Sequence, residues 1–240
     1  MISVVCDDNN QKRQFFLLSW HLYNRKQQEA DIEGESILLE WTGERIIPKL
    51  LKPMNGMLLE HLARYYFSTP YCKGRVLDIA CGTGYGCHMV VKERKREVTE
   101  LIGVDVDEET LFYANREYNH QKVTYLQHDA LDPVLPEKLG MFDTILSFET
   151  IEHVADDQLF MENIYNMLKP GGTLVLSSPF GRGRGMPTSE PFHVHQLTPE
   201  EFEQLFVRFS EVEIYYQRGL TFEKPRDKVR YFIGIAVCKK

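Results

Sequence analysis

The run Val76-Leu77-Asp78-Ile79-Ala80-Cys81-Gly82-Thr83-Gly84-Tyr85-Gly86 constrains this chain more than any other. An apolar strand passes into an aspartate, and a glycine-rich turn follows at once. Glycines there allow a tight strand-to-helix turn and let backbone N–H groups approach a ligand closely. A dinucleotide loop would read G-x-G-x-x-G and would need a glycine at Cys87. The chain reads G-x-G-x-G, with Asp78 four residues ahead of Gly82. A carboxylate at that position repels a pyrophosphate and suits a ligand that carries positive charge.

Beyond the turn, strand and helix patterns alternate. Strands are predicted near 75–79, 100–104, 122–127, 142–147 and 173–178, and helices over 84–93, 108–119, 156–168 and 198–206. Val212 to Tyr216 and Phe232 to Val237 read as the last two strands. Between them Gly219 to Lys228 is polar and contains Pro225, too short for a crossover helix and long for a tight hairpin. Such alternation predicts a parallel sheet with helices on both faces. The second strand ends in Asp105, nineteen residues after Gly86, where an acid can accept hydrogen bonds from both hydroxyls of a ribose. The third is followed by His128-Asp129-Ala130.

These ordered motifs, from Arg75 to Phe206, resemble the class I S-adenosylmethionine-dependent methyltransferases. S-adenosylmethionine carries an ammonium and a sulfonium and no phosphate, in keeping with Asp78. The resemblance implies an α/β fold: a doubly wound, Rossmann-like, seven-stranded methyltransferase sheet whose final strand runs antiparallel between strands five and six. It implies S-adenosylmethionine as cofactor, with contacts from Asp78, Ala80, Gly82, Gly84, Asp105, Val106, Asp129, Ala130 and Phe148. Asp129 would look toward the adenine amino group.

Residues 1–70 are expected to form an N-terminal helical extension that is part of a lid, and residues 71–240 the methyltransferase domain. Phe15, Phe16, Trp20 and Tyr23 fall on one helical face, which predicts a helix that caps the core or a homodimer surface, with a lid over the substrate as the other reading. A helix is predicted from Met57 to Phe67, carrying Glu60, His61, Arg64 and Tyr65 on adjoining faces. The segments Gly43-Glu44-Arg45-x-x-Pro48 and Glu60-His61-x-x-Arg64-Tyr65 resemble the N-terminal region of bacterial methyltransferases associated with glycan and sugar modification. That shorter resemblance implies Arg45 and Tyr65 as lid contacts to cofactor or substrate. A salt-bridged helix surface is the competing reading.

Strands four and five end where ligands bind in such sheets, and their loops are rich in titratable groups. After strand four, Glu149, Glu152 and His153 stand at i, i+3 and i+4, a spacing that converges on one side of a helical turn. After strand five, the irregular stretch Pro179 to Gln196 carries Arg182, Arg184, His193 and His195 and reads as a substrate-facing loop. His193 and His195 alternate in an extended segment, so only one faces a given pocket; Phe192 as a loop anchor favours His193. The predicted catalytic group is therefore Glu149, Glu152, His153 and His193. In the preferred reading a histidine is the general base for an acceptor hydroxyl or amine, and no metal is assigned. In the other, these groups bind a divalent cation, because E-x-x-E-H with a later histidine resembles metal-dependent small-RNA 3′-end 2′-O-methyltransferases and ubiquinone-pathway O-methyltransferases.

The function expected is methyl transfer to an oxygen or nitrogen of a small-molecule or glycan-type acceptor. A metal-assisted RNA ribose methyltransferase is the enzyme alternative. The formal charge of −7 argues against broad nucleic-acid binding, although Arg182 and Arg184 could grip a phosphate. A non-catalytic cofactor-binding subunit is the third, and the intact glycines and Asp105 weigh against it. No apolar run approaches the length of a membrane span, no secretory signal is seen, and five scattered cysteines without C-x-x-C spacing predict a reduced, cytoplasmic protein.

Overall fold

Val76, Leu77, Ile79, Leu101, Val104, Ile145, Leu146, Leu174, Val175 and Leu176 are all buried, as the near-continuous apolar runs of strands covered on both faces should be. The computed structural model describes residue 39, residues 45–188 and residues 190–240. The predicted aromatic face of Phe15, Phe16, Trp20 and Tyr23 lies outside the described residues. The compact unit that holds the described residues runs from Leu39 to Lys240.

Its strands are β1 (Gly74–Ile79), β2 (Val98–Asp105), β3 (Val123–Gln127), β4 (Phe142–Phe148), β5 (Leu168–Pro179), β6 (Glu211–Arg218), β7 (Thr221–Glu223) and β8 (Ile233–Lys239). They form one eight-stranded sheet in the order β3-β2-β1-β4-β5-β8-β6-β7. β1 to β5 pair in parallel, and β8 runs antiparallel between β5 and β6. The doubly wound Rossmann-like methyltransferase sheet is as expected, with one strand more than seven. The extra strand is β7, which folds back on β6 through a turn at Gly219-Leu220, with Arg218 opposite Thr221 and Gly219 at φ +59°. Three paired residues beside a polar stretch leave almost no period-2 signal to read.

The helices are α1 (Gly56–Ser68), α2 (Tyr85–Glu93), α3 (Glu108–Glu117), α4 (Leu135–Leu139), α5 (Asp157–Met167) and α6 (Pro199–Gln204). Their starts are written in the sequence. The side chains of Asn55, Asp107 and Asp156 accept the N3 amides of α1, α3 and α5, and Thr198 with Glu201 closes a capping box on α6. α1 buries Leu58, Leu59, Leu62 and Ala63, which fixes it to the unit. It also buries Arg64 and Tyr65, which carry polar groups into the interior.

Candidate active site

The strand order reverses between β1 and β4, so the crevice at the carboxyl edge of the sheet opens there. The chain leaves β1 through Ala80, Gly82 and Gly84, all at positive φ (58°, 54° and 80°). Gly84 is the N-cap of α2 and offers no side-chain cap, so the first amides of that helix suit a ligand carboxylate. A Cβ on Gly84 would lie 2.6 Å from the Tyr125 hydroxyl. Gly86 serves another purpose: a Cβ there would lie 1.9 Å from Cζ of Tyr65, so its role is to seat that ring.

Asp78 is 1% exposed beneath the turn. Tyr65 Oη donates to its Oδ2 at 3.0 Å and Cys87 Sγ at 3.2 Å. Burial pushes the Asp78 carboxyl up to about 7 against the lowering effect of both bonds, and the Asp105 charge adds to the rise. Burial, then the charge of Asp78, holds the Tyr65 phenol well above its ordinary range. The Tyr65 ring meets Tyr85 and Phe148 edge-on, with centroids 5.5 Å and 5.0 Å away.

At the tip of β2, Asp105 accepts from the Gly82 amide at 2.8 Å and the Asp107 amide at 3.1 Å. Burial raises its pKa while these bonds oppose the rise. Arg45 forms an ion pair with Asp107, the N-cap of α3. That pair secures the loop beside Asp105, and the Thr83 hydroxyl donating to Ile46 O at 2.8 Å ties the same segment to the glycine turn. The His128 amide donates to Asp105 O at 3.1 Å, holding the β3 loop against the β2 tip. On that shelf Val106 is 60% exposed and Asp129 is exposed, and Asn163 clamps the carbonyls of Ala130 and Asp132 at 2.9 Å. An exposed valine beside a half-buried acid is a surface that a flat heterocycle and its sugar would cover.

Glu149 departs from expectation. It sits at φ +50° at the end of β4, and only Ile151–His153 form a helical turn after it, so it does not converge with Glu152 and His153. Instead its Oε1 accepts from Ser177 Oγ at 2.7 Å, and its Oε2 lies 4.0 Å from Arg64. Arg64 is 1% exposed and donates to Gln217 Oε1 at 2.7 Å. Burial, then the Arg64 charge, pushes His61 well below its ordinary value, and its Nδ1 lies 3.2 Å from Tyr85 Oη.

Glu152, His153 and His193 do come together, with one potential ligand atom from each all within 4.8 Å. Glu152 is buried; His153 Nε2 lies 3.9 Å from its Oε1. The two imidazoles meet edge to face at 4.8 Å, His153 Nδ1 bonding Phe192 O and His193 Nδ1 bonding Gln196 Nε2, each at 3.0 Å. His195 is buried and is not part of that cluster. Arg184 is paired with Asp157 at 2.5 Å, and Arg182 donates to Pro187 O at 2.7 Å. Sequence reasoning missed Tyr85, Cys87, Ser177 and Gln217. The part of Ser177 follows from the β4–β5 register, which sets it opposite Phe148.

Residues 77–176 match the model of a methyltransferase domain. The chain is similar to a probable S-adenosylmethionine-dependent methyltransferase of Mycolicibacterium smegmatis, 32% identical over 172 residues that cover 70% of this chain and 63% of that protein. It is also similar to a ubiquinone biosynthesis O-methyltransferase of Nitrobacter winogradskyi, 36% identical over 106 residues, 43% of this chain and 38% of that protein. The chain therefore spans less than two thirds of the length of these curated relatives. Among solved structures, the plantazolicin methyltransferase BpumL in complex with SAH matches with a TM-score of 0.56 at 16% identity, over 75% of this chain and 83% of that one.

Proposed function

We propose that residues 77–176, which match the model of a methyltransferase domain, form a class I S-adenosylmethionine-dependent methyltransferase domain, and that the chain transfers a methyl group to an oxygen or nitrogen of a small-molecule or glycan-type acceptor. The observation that carries the reading is the Asp105 carboxylate, pinned by the Gly82 and Asp107 amides between the glycine turn and the exposed Val106 shelf. The donor set fits the proposed cofactor: Asp78 for positive charge, the uncapped amides of α2 for a carboxylate, Asp105 for a ribose diol, and Val106, Asp129 and Ala130 for an adenine. S-adenosylmethionine, when bound, supplies a methyl group already activated by its sulfonium.

The protein's part is to align the acceptor with that methyl, exclude water and take a proton. Tyr65 and Phe148 wall the crevice between the β1 and β4 tips. His153 or His193 would accept the acceptor's O–H or N–H proton as the acceptor takes the methyl group. Arg45 and Asp107 hold the cofactor shelf. Calorimetry with S-adenosylhomocysteine tests the reading. Asp105→Ala removes two charge-assisted ribose contacts and should cost about 1.5–3 kcal/mol of affinity. Unchanged affinity in that variant removes the ribose role, and tighter binding of NAD removes the cofactor.

The Glu152, His153 and His193 cluster favours a second reading, in which the proton acceptor is replaced by a divalent cation site. One carboxylate and two imidazoles are a recognised donor set, and His153, whose Nδ1 donates to Phe192 O, is oriented as such a ligand is. Ligand atoms within 4.8 Å need only a small closure to meet an ion at about 2.1 Å.

A further inference from the structure

On the premise of that proposed reading, we propose that the cleft between Phe180 and the segment 225–232 is the acceptor's recognition subsite, built for a flat ring bearing a carboxylate or phosphate. Phe180, Tyr216, Tyr231 and Phe232 are its walls, and Arg230 is the counter-ion.

The cleft lies at the right edge. β6 and β5 both run antiparallel to β8, so β5 and β6 end, and β8 begins, at the edge where β1 and β4 end. The Phe180 amide donates to Phe232 O at 2.7 Å, which places the first residue past β5 beside the residue that leads into β8. The cavity there measures about 340 Å³, the size of a pocket for a small ring and its substituents. β8 lies two strands from β4, roughly 10 Å at the usual inter-strand spacing, so one acceptor of modest length reaches from this cleft to the Phe148 tip.

Its walls are built rather than incidental. Tyr216 and Tyr231 lie 4.9 Å apart at 34°, and Phe180 meets Tyr216 at 5.8 Å. A Cβ on Gly234 would lie 2.4 Å from Cζ of Phe180, so that glycine is what admits the Phe180 ring beneath β8. Phe232 remains 62% exposed at the rim, an apolar face that a ligand ring would cover.

The charges select the ligand's sign. Glu223 is paired with Arg226 at 2.7 Å and accepts from the Tyr231 hydroxyl at 2.8 Å, and Glu200 and Glu203, whose charges reach Tyr216, mark the side of the cleft that an anion avoids. Arg230 has no carboxylate partner among the described residues and lies 5.0 Å over the Phe232 ring. A guanidinium set over an aromatic wall presents its planar fork to a carboxylate or phosphate attached to a stacked ring. A neutral ring would leave that cation unused. In a chain of net charge −7, such a local cation is what makes an anionic acceptor acceptable at all.

The test titrates 4-fluorobenzoate, 4-fluorophenyl phosphate and neutral 4-fluorobenzyl alcohol into the full chain, followed by fluorine NMR, with and without S-adenosylhomocysteine. One or both anions should bind, the stronger identifying the group, and the alcohol should not. R230A should weaken the bound anion about tenfold, R230K less, with S-adenosylhomocysteine affinity unchanged in both. Equal binding of alcohol and anion, or R230A equal to the parent chain, overturns the subsite. Failure of S-adenosylhomocysteine to bind while the anion still depends on Arg230 overturns the cofactor reading and leaves the subsite standing.

Discussion

Tyr65 on α1 donates its phenolic hydrogen to Asp78 Oδ2 across 3.0 Å, and its ring lies on the bare Cα of Gly86. One residue of the N-terminal helix thus touches both the acid at the end of β1 and the first turn of α2. The cradle is not made by the sheet alone: α1 is its side wall, and Phe148 at the tip of β4 closes against the same ring.

Gly86→Ala tests how firmly that wall is set. The added methyl would overlap Tyr65 Cζ, and the ring is too buried to swing away freely. Thermal unfolding should show a loss of about 1–3 kcal/mol, and S-adenosylhomocysteine should bind more weakly because Asp78 loses its donor. In a Tyr65→Leu background the same substitution should cost less, giving a coupling of about 0.5–3 kcal/mol in the double-mutant cycle. Full additivity would show that the two sites are independent.

Asp78 makes the unliganded protein sensitive to pH. Its carboxyl rises from 3.8 to about 7 on folding, so the folded state holds a proton that the unfolded state has released. The stability this group provides is fully present below the unfolded value and is lost as pH climbs through the folded one. Denaturant titrations between pH 4 and about 7 should show that decline, and Asp78→Asn should flatten it. A cationic ligand favours the carboxylate, so binding of S-adenosylmethionine at pH 6 should release a proton, seen as a buffer-dependent enthalpy that Asp78→Asn abolishes.

The parts of this arrangement that could be read in the sequence are the local ones. Asp78, Gly82 and Gly84 announce themselves because strand, acid and turn follow one another within a few residues, and Asp105 because it ends the next apolar strand. Glu149 was misplaced because i, i+3, i+4 spacing converges only if the backbone is helical, and here β4 ends on a residue at φ +50°. Tyr85 and Gln217 were invisible because their roles depend on residues far along the chain, Gln217 lying 153 positions from Arg64. Arg45 was ambiguous for a related reason: an arginine ahead of a helix does not reveal which acid it meets.

Arg64 should prove costly to remove. It is fully buried, holds Gln217 Oε1 at 2.7 Å and faces Glu149. Arg64→Met keeps the volume but strands the Gln217 oxygen and leaves Glu149 without its nearest cation. A loss of about 2–4 kcal/mol in denaturant unfolding is expected. Arg64→Met with Gln217→Leu should recover part of it, since the stranded Gln217 oxygen is then gone, and only part, since the Glu60 and Gly219 carbonyls lose the Gln217 Nε2 donor. A recovery of nothing would place the cost elsewhere than in that hydrogen bond.

Glu152, His153 and His193 should govern turnover while leaving cofactor affinity nearly untouched. They meet on the loops after β4 and β5, whereas Asp105, Val106 and Asp129 follow β2 and β3. If an imidazole takes the acceptor proton, alanine at His153 or His193 should lower the methylation rate by about 10²-fold or more. Chelator should then have no effect. If the cluster holds a cation, chelator should abolish activity and one of magnesium, manganese or zinc should restore it, and Glu152→Gln should be as damaging as either histidine variant. The Glu152 variant separates the two cases independently of chelation: a buried carboxylate that only orients an imidazole tolerates the amide far better than one that must ligate an ion. Full activity in chelator together with full activity of both histidine variants would reduce the cluster to a packing role and move the search for the base to the acceptor itself.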